Sequence, residues 1–306
     1  MFKFLSKRQW ALIAASIVCI IYALNYSIAK TVMPHYVKPF GFILFRVVGG
    51  AMLFWLVGLL GPKERIERED YPRLFLASLF GVGLNMLVFF YGLNLTTPIS
   101  ASVMMVTTPM ITLILAVIFL KEKLKALRIL GLLLGFGGTL IMILYGKSQI
   151  ANAPDPFTGN ICLLINAASF ASYLIVVKKL TQKYHPFTFM KWLYTIGCLL
   201  VLPFGLPDVL EMDFSILPKS AYWVIFFVVF FVTFGTYILN IFAIRALKPT
   251  TVAVFVYFQP LLATLIAITS GADKLDRIKI IAAILIFSGV YLVGRDKNTK
   301  KAEIKS

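Results

Sequence analysis

The chain has 306 residues, 60% of them hydrophobic and 14% charged, against ~45–50% and ~25% in soluble domains. With a mean hydropathy of +0.89, it carries more apolar surface than a soluble interior of this size buries. That excludes a soluble enzyme, a disulfide-rich secreted module and a disordered tail. The net charge of +17 would suggest nucleic acid in a soluble protein; here the basic residues sit in short loops between apolar runs, so they report topology.

A bilayer core of ~30 Å takes ~20 apolar residues as a helix. Ten runs meet that need: 10–29, 40–60, 74–93, 98–120, 127–145, 157–177, 187–206, 221–243, 250–270 and 278–294. The expected fold is therefore an all-α polytopic membrane protein with ten transmembrane helices, consecutive ones antiparallel because the connections are short. The first run is too long for a signal-peptide core and lacks a convincing cleavage site, so it is expected to stay in the mature protein. Lys and Arg concentrate on one side, as in Lys7–Arg8, Lys63–Arg73, Lys121–Arg128, Lys178–Lys191 and the tail from Arg295. The positive-inside rule then places both termini in the cytoplasm. The outer loop with Lys274, Arg277 and Lys279 runs against this count, with Asp273 and Asp276 beside them.

Polar side chains inside spans are costly and so mark candidate function. In the first run Tyr22, Asn25, Tyr26 and Ala29 share a face at i, i+3, i+4 and i+7. Lys30 closes that run as an anchor or a gate. Arg46, in the second run, is the one basic residue well inside a span, ~9 Å deep at 1.5 Å per residue. It either snorkels outward or anchors a substrate carboxylate or the carbonyls of a neighbouring helix. The third run presents Gly81, Asn85, Phe89 and Gly92. In the fourth, Pro109 frees the Met105 carbonyl beside Thr107 and Thr108 and should kink the helix. Gly131 and Gly135 in the fifth run pack helices closely, within the chain or at a dimer seam. The sixth offers Asn166, Ser169 and Tyr173, closed by Lys178; the eighth offers Thr233, Tyr237 and Asn240. The ninth adds Tyr257 and Gln259, with Pro260 as a second kink. Amide and aromatic groups alternate on these faces, suited to an amino or carboxyl group next to an apolar side chain; helix–helix hydrogen bonding is the competing reading. Cys19, Cys162 and Cys198 fall inside runs, and His35 and His185 in loops. No metal and no cofactor are expected.

The halves repeat. An offset of 151 carries Pro98 onto Pro249, Pro109 onto Pro260, Lys123-Leu124 onto Lys274-Leu275, Glu122 onto Asp273 and Gly138 onto Gly289; an offset of 148 carries Ala23 onto Ala171 and Lys30 onto Lys178. Residues 1–148 and 157–295 thus form two five-span units, followed by a basic cytoplasmic tail, 296–306. Five is odd, so the second unit enters the membrane inverted, an architecture of secondary transporters with the substrate between the repeats.

The run from Tyr22 to Lys30 resembles the first-helix motif of EamA-type transporters in the drug/metabolite transporter superfamily. Phe42-Ile-Leu-Phe-Arg46 resembles the second-helix Arg motif. Ser100-Ala-Ser through Pro109, Phe119-Leu-Lys-Glu122 and Gly131 to Gly138 resemble the rest of the repeat, and Thr250-Thr-Val to Pro260, Ala272-Asp273 and Ser288-Gly289 repeat it. The usual Trp is Tyr22, and the Gly before the acidic residue is Lys121 in one half and Ala272 in the other. The resemblance implies two inverted five-helix bundles around a central cavity and carriage of small metabolites, often amino acids. A drug-like compound or a nucleoside is the alternative cargo. No Walker A motif is present to bind ATP. The spans hold no Asp, Glu or His for an intramembrane enzyme, and no charge ring or filter run for a channel. The expected partners are a small-molecule substrate and the lipid bilayer, not nucleic acid. The expected state is a monomer in a bacterial inner membrane, with the dimer as alternative.

Overall fold

The computed structural model describes residues 6–120, 126–145, 153–247 and 249–303; the side chains of 120, 241, 244–246, 249–254, 256, 257 and 294–303 are outside the description. Among the described residues ten long helices follow in sequence: α1 (Lys7–Val32), α2 (Pro39–Gly58), α3 (Arg68–Leu95), α4 (Pro98–Phe119), α5 (Ala126–Tyr145), α6 (Pro156–Lys183), α7 (Pro186–Leu210), α8 (Lys219–Asn240, continuing to Ala246), α9 (Pro249–Thr269) and α10 (Arg277–Glu303). Each sequence run becomes one of them. Five open on a proline, whose fixed φ suits the first turn and whose missing N–H would be unpaired there.

Carboxylates meet several of these helix starts, where the dipole favours negative charge. Asp155 Oδ1 accepts from Thr158 N at 3.1 Å at the start of α6. Asp208, at the end of α7, accepts from Phe40 N and Gly41 N at the start of α2. Glu64, just past α2, accepts from His185 N at the start of α7. So α2 and α7 cap one another at opposite membrane surfaces.

Two features are invisible to a 3.6-residue pattern. Wide π-helical turns interrupt α3 at Leu79–Gly83 and α8 at Phe227–Gly235. The repeat offset of 151 carries the first inside the second. Each turn is stitched by a hydroxyl: Thr233 Oγ1 donates to Val228 O at 2.9 Å, and Ser169 Oγ on α6 donates to Phe80 O at 2.9 Å.

The packing exchanges elements between the repeats. α1 packs against α8 and α9, α6 against α3 and α4, α2 against α7, and α5 against α10. The first helix of each repeat thus belongs to a bundle whose other members come from the other repeat. Glycines set the α5–α10 contact. A Cβ on Gly289 would lie 2.5 Å from Gly131 O, and one on Gly138 2.8 Å from Ala282 O; Gly135 faces Met110. The dimer-seam reading of Gly131 and Gly135 is corrected: that face is filled within the chain.

Candidate functional site

Pro109 and Pro260 behave differently despite their equivalent positions. α4 breaks at Val106–Thr107, between helical pieces Pro98–Met105 and Thr108–Leu120. Thr107 Oγ1 donates to Met104 O at 2.7 Å and Thr108 Oγ1 to Met105 O at 2.8 Å. The carbonyl that Pro109 frees is therefore taken by a local hydroxyl and is not a ligand, as Ser and Thr commonly do in membranes. Pro260 leaves α9 continuous. It lines an apolar crevice of about 430 Å³ with Val103, Leu261, Thr264, Leu275 and Phe287 among others.

The centre of the molecule is built around Arg46. Its Nε donates to Thr233 Oγ1 at 2.9 Å, and its guanidinium lies 5.3 Å from the centroid of the Phe90 ring. The side chain therefore turns inward onto α8 and α3; it does not snorkel. Its terminal nitrogens have no hydrogen-bond acceptor among the described residues. Tyr194 of α7 and Tyr22 of α1 are within electrostatic range of Arg46, and Tyr173 and Tyr194 are within range of Tyr237. Tyr22, Arg46, Phe89, Tyr173, Tyr237 and Gln259 are each partly exposed. Tyr22, Phe89 and Gln259 turn toward other helices, Tyr22 to Thr236 and both Phe89 and Gln259 to Tyr26.

Some predicted wall residues are committed to the protein itself. Asn166 Nδ2 donates to Asn85 O at 2.7 Å and Asn85 Nδ2 to Asn166 O at 3.3 Å, a reciprocal lock between α3 and α6. The Tyr22 hydroxyl is 3.1 Å from Thr236 Oγ1, and Gln259 Nε2 donates to the Tyr26 hydroxyl at 3.3 Å. Tyr26 and Phe89 meet edge-on at 5.8 Å across the space between α1 and α3. Asn25 is buried, and its Oδ1 lacks a hydrogen-bond partner. Asn240 stands near the far end of α8, away from this centre by helix length. The Tyr257 side chain lies outside the described residues, as does Glu122.

Sequence reasoning missed Tyr194. It is buried against Phe54, 4.9 Å between ring centroids, and beside Gly50. The polar face of α7, Thr188, Lys191 and Thr195, adjoins Tyr194 but carries no amide, and the amide–aromatic pattern sought on the other helices passed over it.

The two predicted end lysines differ. Lys30 is 3% exposed and donates to Asn94 O at 3.3 Å and to Thr96 O at 2.5 Å. It is a buried connector. Lys178 is exposed. Asp273 is 2% exposed, pairs with Lys279 Nζ at 2.6 Å, and accepts from Ile99 N at 3.1 Å at the start of α4, so it serves as both ion pair and cap.

Two copies of one family pattern account for nearly all of the chain: the EamA-like transporter family matches at residues 9–144 and 157–295. The protein belongs to the EamA-like transporter family. An uncharacterized transporter of Archaeoglobus fulgidus is 23% identical over 86% of this chain and 88% of its own length. The uncharacterized transporter YyaM of Bacillus subtilis is 23% identical over 80% of both. The WAT1-related protein At3g53210 of Arabidopsis thaliana is 24% identical over 90% of this chain and 80% of its own. A crystal structure at 18% identity superposes with a TM-score of 0.59, covering 94% of this chain and 97% of that one; it supports the fold alone. The protein is thus a multi-pass membrane transporter of the drug/metabolite type.

Proposed function

We propose that the protein is a secondary transporter that moves a small organic metabolite bearing a carboxylate, an amino acid or similar zwitterion, by alternating access between two inverted five-helix units. The observation that carries this reading is Arg46. A guanidinium held by Nε alone, with Tyr22 and Tyr194 within electrostatic range, suits bidentate binding of a carboxylate. Tyr22, Tyr173, Tyr194 and Tyr237 supply hydroxyls and ring faces for an ammonium and an apolar side chain. Flux runs as facilitation, exchange or export across a bacterial inner membrane, with both termini cytoplasmic.

A screen of uptake into, and export from, cells with and without the protein tests the cargo. Amino acids should lead it. A response confined to uncharged nucleosides or to cationic drugs would reject the Arg46 assignment. Reporter fusions should place residues 66 and 306 in the cytoplasm and residue 152 outside; an external residue 306 would break the inverted arrangement.

A further inference from the structure

The corner between α9 and α10 is the connection that runs against the positive-inside count, with Lys274, Arg277 and Lys279. The fold accounts for one of the three. Lys279 is buried and pairs with Asp273 at 2.6 Å and with Asp276 at 3.7 Å. Both acids of the corner are thereby used. Lys274 and Arg277 are exposed, and their side chains make no hydrogen bond or ion pair among the described residues. Two cations at this surface are left for an anion.

The apolar crevice that Pro260 lines starts in the same corner. Leu275, between Lys274 and Arg277 in sequence, is part of its wall. On α10, Arg277, Ile280, Ile284 and Phe287 follow at i, i+3, i+7 and i+10, one helix face. The last three line the crevice, so Arg277 stands at the head of that wall. From Arg277 to Ser288, the deepest α10 residue of the lining, the helix rises ~16 Å at 1.5 Å per residue. That is about half of the ~30 Å hydrocarbon core, the depth of one leaflet. Leu261, Leu275, Ile280 and Ile284 are exposed along it, so it opens to the side of the helix bundle, where a multi-pass membrane protein meets hydrocarbon.

We propose that this crevice binds one anionic phospholipid, with an acyl chain lying against α9 and α10 down to Ser288 and the phosphate held by Lys274 and Arg277. Arg277 offers a planar fork that matches two phosphate oxygens, and Lys274 adds a point charge. Basic groups at the head of an interhelical pocket select the headgroup, and the apolar walls hold the chain. Val103 of the first repeat lines the crevice together with α9 and α10 of the second, so the bound lipid touches both repeats. The site is separate from Arg46 and does not depend on which substrate is carried.

The test titrates the purified full-length protein in detergent with dioleoyl phosphatidylglycerol or dioleoyl phosphatidylcholine and counts bound lipid by native mass spectrometry. Phosphatidylglycerol should bind more tightly. Arg277→Gln and Lys274→Gln should each lower its affinity by about fivefold, the scale of one basic residue near an anionic lipid, and leave phosphatidylcholine unchanged. Lys219→Gln, at an exposed lysine opening α8 at the same end, should change neither. Ala283→Trp fills the crevice and should weaken both lipids. Glycerol 3-phosphate, a headgroup without chains, should displace neither. Equal affinity for the two lipids overturns the site. So does displacement by glycerol 3-phosphate, or a response to Arg277→Gln and Lys274→Gln no larger than that to Lys219→Gln. These three variants change exposed side chains only, so they decide the question even where Ala283→Trp fails to insert.

Discussion

Arg46 on α2 donates through Nε to Thr233 on α8, and Thr233 Oγ1 donates its own hydrogen bond to Val228 O across a π-helical turn. The wide turn thus orients the hydroxyl as an acceptor for the arginine. Thr233 fixes the guanidinium plane, which leaves the terminal nitrogens for a ligand.

Arg46→Ala should lower kcat/KM for the substrate at least about tenfold, the scale of one charge-assisted hydrogen bond, with membrane insertion unchanged. Lysine should not restore it, because a point charge lacks the planar fork. Transport kinetics with quantitative membrane immunoblots check this. Normal kinetics in Arg46→Ala would remove it from the site.

Asn85 and Asn166 bind each other's backbone, so their loss should register first as stability. Asn166→Leu removes one amide from the α3–α6 lock; interhelical hydrogen bonds in membranes average ~0.6 kcal/mol. A small fall in thermal midpoint with an unchanged ranking of substrates is expected. A changed ranking at unchanged stability would make Asn166 a substrate ligand.

Glycines of α5 and α10 should divide sharply. Gly289→Ala forces a Cβ against the Gly131 carbonyl, which α5 and α10 escape only by separating; overpacking costs ~1–3 kcal/mol. Gly137→Ala meets nothing within 4 Å and should stabilise the helix by ~0.5–1 kcal/mol. Thermal unfolding in detergent separates the two, and equal effects would contradict the packing described.

The spans were legible because ~20-residue apolar runs have one common outcome in a bilayer. The repeat was legible from paired prolines and charges. Arg46 stood out as a basic residue inside a span. The π turns did not, since hydrophobic residues surround them and one extra residue per turn leaves no compositional mark. The fates of Asn85, Asn166 and Thr108 were equally hidden: whether a polar group faces a ligand or a neighbouring carbonyl depends on helix rotation, which a face pattern does not fix. Lys30 and Lys178 look alike in sequence, yet Lys30 is buried on the carbonyls of Asn94 and Thr96 whereas Lys178 is exposed; a terminal lysine in a pattern does not say which neighbour it meets.

Energy coupling follows from where the acidic residues stand. By the sequence runs, all thirteen acidic residues fall in loops, in the tail or at span ends, and Asp155, Asp208 and Asp273 serve helix starts. Proton-driven carriers commonly exchange protons at an embedded carboxylate or His, so substrate should run down its own gradient. In liposomes with a pH gradient and no substrate gradient, no net accumulation is expected. Accumulation abolished by Glu122→Gln would show that the span-end carboxylate couples protons.

The most direct test of the account is counterflow in liposomes containing the purified protein. Vesicles loaded with unlabelled amino acids should draw in a labelled amino acid transiently above its outside concentration, saturably, and Arg46→Ala should abolish the overshoot. Flux that rises linearly with concentration, or an overshoot that Arg46→Ala leaves unchanged, would contradict a carrier that grips its substrate's carboxylate through Arg46.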